Sequence, residues 1–211
     1  MLELILSSIT TIISNIIIFL IIPFLWWLIK LRKEMSFFKW VGLIKPKLNS
    51  KWWIIIIFVI AYGFFYLFDF TMFIDKQSIE VLQTSEKVSA NVYTGLGFVA
   101  IIPSLLTTLI ANGLCEEVLF RGFISKRLCN KFGKNAGIII QGILFGLLHN
   151  IIYILGGVNV SLQFHIVLFI FTGMGGLLLG ILDEKIYNGS IVPSVLLHGL
   201  GNFISNFNVM F

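Results

Sequence analysis

Charge is scarce in this chain. Of 211 residues only 12% are Asp, Glu, Lys or Arg, while 58% are hydrophobic. A soluble domain is about one quarter charged and about half apolar, so a water-soluble fold is excluded and an integral membrane protein is expected. Cysteine is nearly absent: Cys115 and Cys129 lack the number and spacing of a disulfide framework or a cysteine metal site, and they read as packing thiols. Three hydrolase signatures are missing: a His-Glu-x-x-His helix, a Gly-x-Ser-x-Gly elbow and a pair of intramembrane aspartates. No internal repeat, low-complexity linker or polar stretch of soluble-domain length interrupts the apolar runs. The net charge of +5 does not point to nucleic acid, because the basic residues cluster between those runs.

What is present is a set of six apolar stretches, each near the roughly 20 residues needed to cross a bilayer: about 4–29, 52–73, 95–120, 136–155, 163–182 and 190–210. The expected fold is therefore all-α, a polytopic membrane bundle of about six helices forming one integral membrane domain over 1–211. The first run is too long for a signal peptide and has no basic leader or small-residue cleavage site, so it is expected to be a retained helix. Thirteen Lys and Arg residues fall in the loops after spans one, three and five, against Lys76 and Lys87 in the loops between. The second set shares its stretch with Asp69, Asp75, Glu80 and Glu86. This asymmetry places both termini outside a cell membrane. The loop around Phe37-Phe38-Lys39-Trp40 reads equally well as an amphipathic interfacial segment and as an ordinary positive loop. Glycines four apart, Gly142 with Gly146 and Gly176 with Gly180, predict close helix packing. Pro23 and Pro103 are candidate kinks, and Asn188-Gly189-Ser190 before Pro193 predicts a turn and a helix start.

Against this background Glu116, Glu117 and Arg121 stand out, because an ionisable group at mid-bilayer costs about 2.5–3.5 kcal/mol on insertion scales. Glu117 and Arg121 are i,i+4 on one face and are able to neutralise each other. Glu116 points about 100° away, which makes it the better general base. An interfacial ion network would also account for these three charges taken alone. His149 shares a face with Phe145 on span four, and His198 shares one with Asn202 on span six. Either histidine alone is compatible with a satisfied packing residue; together with Glu116 they allow convergence on one cavity. A carboxylate and an imidazole can activate water, and a second imidazole and an amide can donate to an oxyanion. His165 has no polar partner at helical spacing and reads as interfacial or structural. One tension remains. Counted from Asn135, His149 lies roughly 21 Å deep; counted from Lys126, Glu116 lies only about 15 Å deep. Tilt or an extension of span four is required.

Glu116-Glu117-x-x-x-Arg121, Phe145-x-x-x-His149 and His198-x-x-x-Asn202, with Phe120-Arg121-Gly122 and Pro193 flanking, resemble the three ordered motifs of the CPBP (ABI) family of CAAX-processing endopeptidases and bacteriocin-processing or self-immunity proteins. The resemblance covers about residues 95–205, the expected catalytic core, and leaves 1–94 as N-terminal spans and loops. It implies an intramembrane endopeptidase acting on a membrane peptide or protein, with its site in the cytoplasmic half of the bundle. Glu116 and His149 would activate water, His198 and Asn202 would stabilise the oxyanion, and Glu117, Arg121 and Phe145 would support them. No cofactor is assigned; a metal-dependent variant would use one Zn2+ on Glu116, His149 and His198. A peptide-binding self-immunity protein without proteolysis is the alternative, and a small transporter is disfavoured by the missing repeat. The Ile, Asn and Lys bias suggests a bacterial source.

Overall fold

The computed structural model describes residues 2–49, 51–85 and 88–211; Glu86 and Lys87, counted above among the loop charges, lie outside them. Among the described residues there is no strand. The helices are α1 (Leu2–Lys30), α2 (Phe37–Val41), α3 (Trp52–Leu67), α4 (Lys76–Thr84), α5 (Gly97–Phe132), α6 (Lys134–Leu155), α7 (Leu162–Ile186) and α8 (Val192–Met210). The longer ones, α1, α3 and α5 to α8, are the rods of a helix bundle, and α1, α5, α6 and α7 are long and apolar enough to cross a membrane. The α3 rod, 16 residues, is shorter than the expected 52–73. Asp69 stops it by accepting the Thr71 amide at 3.0 Å, which turns the chain into a 3-10 coil. The α8 rod has 19 residues, but Ser194, His198, Asn202 and three more asparagine or serine side chains dilute its apolar character.

The largest difference from the sequence-based expectation is α5, which runs to Phe132 rather than ending near 120. Its basic residues stay helical because the protein itself provides their partners. Lys126 Nζ donates to the Gly189 carbonyl at 2.6 Å and pairs with Glu184 at 3.2 Å. The Arg127 guanidinium lies 3.8 Å over the Trp40 ring and donates to the carbonyls of Gly122 and Phe123. Gly133, at φ 85°, ends the helix, and α6 starts at the next residue. The hairpin is tight: a Cβ on Gly137 would stand 2.4 Å from the Cys129 backbone nitrogen. This removes the depth conflict. Measured from the shared turn, Glu116 and His149 lie about 24 and 22 Å along antiparallel helices, so the extension belongs to span three rather than span four.

Glycine sets the remaining approaches. Gly142 and Gly146 face α7, where added Cβ atoms would reach the carbonyls of Gly173 and Phe169 at 3.0 and 2.7 Å, as small-residue packing predicts. Gly113 on α5 and Gly199 on α8 press backbone to backbone; a Cβ on Gly113 would lie 2.7 Å from the Val195 carbonyl. Asn206 donates to Ser104 at 3.0 Å further along the same crossing. In the loop around Phe37-Phe38-Lys39-Trp40 the chain forms the short helix α2, with Trp40 and Val41 buried against α5 and Phe38 exposed. Ser36 caps it, and Gly42 at φ 87° releases the chain to meet Ile191.

The turn at Asn188 and Gly189 is left-handed, with φ values of 54° and 83°. The segment between α2 and α3, the C-terminal ends of α5 and α7 and the loop after α7 meet at one end of the bundle, through Asn49 to Ile186, Ser190 to Ile44 and Lys126 to Glu184. Leu4, Tyr93 and Met210 pack together at the other end, so both chain ends sit there. The stretch before α5, expected as loop, also holds the short helix α4. Asp75 caps it through the Ser78 amide and accepts the Ser161 hydroxyl of the α7 N-terminus. The Ser161 hydroxyl, then the Ser78 amide, lower its carboxyl to about 2. The cap is therefore present at ordinary pH and is lost only as pH falls through that value.

Gly137→Leu is expected to lower the melting temperature of the detergent-solubilised protein sharply, since overpacking costs about 1–3 kcal/mol. Gly63→Leu, where an added side chain meets open space, is expected to leave it in place. Thermal scans of the two variants against wild type check this.

Candidate active site

Cys115, Glu116 and Glu117 form a single α-helical turn between two π-helical stretches, Thr107–Leu114 and Val118–Ser125. Such wide turns insert a residue into the helical repeat and are frequent at functional sites. Glu117 is fully buried. Its Oε1 lies 2.9 Å from Arg121 Nη1 and accepts Nδ1–H of His198 at 2.7 Å. The i,i+4 pair anticipated from spacing is therefore present, but it also carries the α8 histidine, which spacing does not reveal. The Gly113–Gly199 crossing, one residue from His198 and one turn from Glu117, is what brings the two helices close enough for that bond.

Arg121 is 1% exposed. Its guanidinium lies 4.3 Å over the Phe145 ring and donates to the Gly176 carbonyl at 3.4 Å. Phe145 is the hub of the site. Phe120 meets it edge-on at 4.9 Å, His149 lies 4.5 Å away and His198 5.9 Å. Gly176 leaves room for this ring, since a Cβ there would stand 3.1 Å from Phe145. His149 Nδ1 is 2.8 Å from the Phe145 carbonyl. A carbonyl only accepts, so Nδ1 carries the hydrogen and Nε2 of the neutral ring is left as an acceptor.

Glu116 faces elsewhere, as the helical wheel predicts. Its Oε2 is buried without a hydrogen-bond partner among the described residues and lies 3.9 Å from His198 Nε2; its charge also acts on His149. His149, His198 and Asn202 line one cavity of about 260 Å3, with Phe145, Thr172 and Ser205 among its other walls. The seven site residues singled out in the sequence thus come together from α5, α6 and α8, with Glu116 reaching the group through His198. The conditional zinc set does not: no group of three His, Cys, Asp or Glu among the described residues could hold a metal ion. His198 Nδ1 is taken by Glu117 and His149 Nδ1 by a carbonyl, which leaves Nε2 of each ring for any further partner.

Three further features lie beyond what the sequence pattern shows. His165 does have a polar partner, Asn150 Oδ1 at 2.6 Å, on the neighbouring helix rather than on its own. Asp183 is fully buried and accepts the Ser194 hydroxyl at 2.6 Å. Gln141 is fully buried one turn before Phe145, against Gly176 and Gly180. The Gln141-Phe145-His149 spacing is the available signal for the last; nothing local marks the first two.

A family model for type II CAAX prenyl endopeptidase Rce1-like proteins matches residues 97–204, the segment that contains every residue of this cluster. The chain belongs to that family. It is therefore a member of a family of intramembrane proteases, and an integral membrane protein. No curated protein and no solved structure shows significant similarity to it.

Removing the cation from the Rce1-like core should be severe. Arg121→Gln leaves Glu117 buried without its charge partner, which costs about 3–5 kcal/mol. A large drop in melting temperature is expected, because the pair is sealed between α5, α6 and α7, away from water that would otherwise solvate the bare carboxylate. Unfolding in detergent followed by tryptophan fluorescence measures it.

Proposed function

We propose that the chain is an endopeptidase that hydrolyses a peptide bond of a membrane-associated peptide or protein, using Glu116 as general base. The observation that carries this reading is the meeting of His149, His198 and Asn202, from two helices, in one cavity, with the Glu116 carboxylate of a third helix 3.9 Å from His198 Nε2. In the proposed reaction a water oxygen attacks the scissile carbonyl carbon. Its proton passes to the Glu116 carboxylate, assisted by the acceptor Nε2 of His149. The negative charge that develops on the carbonyl oxygen is met by Asn202 and by Nε2–H of His198 when that ring carries both protons. Collapse breaks the C–N bond, and the proton held by Glu116 goes to the leaving amine. Glu117, locked by Arg121, fixes the His198 ring through Nδ1, and Phe145 holds both imidazoles and the guanidinium in place. Each step is carried by side chains of this chain alone.

Residues 95–205 carry the chemistry in this reading, and residues 1–94 supply the wall formed by Tyr62, Phe65 and Phe70. The end that gathers the basic loops faces the cytoplasm of a bacterial cell membrane, following the positive-inside rule, and both termini face out. The family description names a CAAX prenyl endopeptidase; the aromatic cavity walls suit an apolar residue or lipid anchor beside the scissile bond.

In proteoliposomes with a library of membrane-anchored peptides, wild-type protein is expected to yield defined cleavage products by mass spectrometry. Glu116→Gln is expected to lower the rate by about 10²–10⁴-fold while keeping the wild-type melting temperature, and a chelator is expected to leave the rate unchanged. Undiminished cleavage by Glu116→Gln would remove Glu116 from the mechanism, and a chelator-sensitive rate would replace the metal-free step.

A further inference from the structure

Residues 30–51, where α1 ends, carry seven basic side chains and a single acid, Glu34, and all eight are exposed. The positive-inside rule accounts for the sign of these charges. It does not account for where three of them stand. Lys30, Arg32 and Lys33 surround a hollow of about 560 Å3 whose other walls are Leu28, Ile29 and Glu34. Among the described residues none of the three cations forms an ion pair, a side-chain hydrogen bond or a ring contact. The cations at the same end of α5 and α6 differ. Lys126 pairs with Glu184, Lys134 donates to the Glu184 carbonyl at 3.0 Å, and Arg127 lies over Trp40. The fold engages those charges and leaves the α1 cluster open.

The turn that carries the cluster is pinned. The Glu34 and Met35 amides donate to the Leu31 carbonyl at 2.9 and 3.2 Å, and the Trp27 indole donates to the Met35 carbonyl at 2.8 Å. Trp27 is itself held by the rings of Phe24 and Phe37, at 5.6 and 5.8 Å. The backbone of the three cations is thus fixed around the hollow, which lowers the ordering cost of filling it.

An apolar track leads to the same place. Ile17, Ile21, Phe24 and Leu28 recur at intervals of four, three and four residues, so they share one face of α1. Ile17, Ile21 and Phe24 line a second hollow of about 280 Å3, which Phe37 also borders, and Leu28 belongs to the first. From Ile17 to Leu28 the helix rises about 16 Å. That is close to half of the roughly 30 Å hydrocarbon core, the depth of one leaflet. A track one leaflet long that ends among unpaired cations matches the shape and charge of an anionic phospholipid.

We propose that the turn at 30–33 binds the phosphate-bearing headgroup of an anionic phospholipid, with an acyl chain lying along Ile17, Ile21, Phe24 and Leu28. The occupant is a lipid rather than a soluble phosphate ester because the cation cluster continues into the apolar track. This site is separate from the peptidase chemistry, since the residues that line the reaction cavity come from other segments than α1.

Native mass spectrometry of the full-length protein in neutral detergent tests this, with phosphatidylglycerol and phosphatidylcholine of the same acyl chains as probes. Wild type is expected to retain phosphatidylglycerol at least about tenfold more, since each basic residue beside anionic lipid contributes about fivefold in binding. Raising the salt concentration is expected to narrow that difference. Replacing all three cations, Lys30→Gln with Arg32→Gln and Lys33→Gln, is expected to reduce the preference to less than about twofold. Lys45→Gln with Lys47→Gln and Lys51→Gln removes the same charge from the same segment and is expected to keep the preference. So is Lys30→Arg with Lys33→Arg. Excess glycerol phosphate, a headgroup without chains, is expected not to displace the lipid. Equal retention of the two lipids by wild type overturns the proposal. Equal loss in the two glutamine triples overturns it as well, because the lipid would then be reading overall charge. Displacement by glycerol phosphate overturns it in favour of a soluble phosphate ester.

Discussion

A carboxylate sealed inside a membrane bundle has to be neutralised by its neighbours, and Glu117 shows how this chain does it. Arg121 supplies the charge from the same helix, and His198 supplies a hydrogen bond from another. Because neither partner can be removed without stranding the others, the trio fixes α5 against α8. Phe145 extends the lock to α6 by lying under the Arg121 guanidinium and beside both histidines. The rest of the site follows from that arrangement: Glu116 is turned towards His198 Nε2, and His149, His198 and Asn202 line one cavity.

Close backbone approach makes the lock geometrically possible. Gly113 and Gly199 let α5 and α8 touch, Gly176 makes room for Phe145, and Gly137 closes the α5–α6 hairpin. The π-helical stretches on either side of Cys115–Glu117, and at the end of α7, lie where the polar side chains converge. Regular α-helical periodicity is thus given up next to the chemistry and kept in the apolar walls.

Much of this is legible in the chain. The long helices follow from apolar length, and Glu117–Arg121, Phe145–His149 and His198–Asn202 each share a face because helical spacing is local information. The glycine pairs announce the α6–α7 contact for the same reason. What stays hidden is non-local. The charges of Lys126 and Arg127 suggest a loop, because only the folded protein shows Glu184, Gly189 and Trp40 beside them. The Glu117–His198 bond, the Asn150–His165 bond and the burial of Asp183 each join segments at least 11 residues apart, and no pattern along one helix marks them. The early end of α3 depends on a single aspartate side chain folding back on the main chain.

The central claim is that Glu117 and His198 are coupled in a buried bond that holds the motif helices together. A double-mutant cycle on unfolding free energy, using Glu117→Gln, His198→Asn and the double variant, measures that coupling most directly. The account predicts an interaction energy of about 1 kcal/mol or more, as contacting residues in one network show. Effects that add to within about 0.3–0.5 kcal/mol, the behaviour of separated sites, would contradict it.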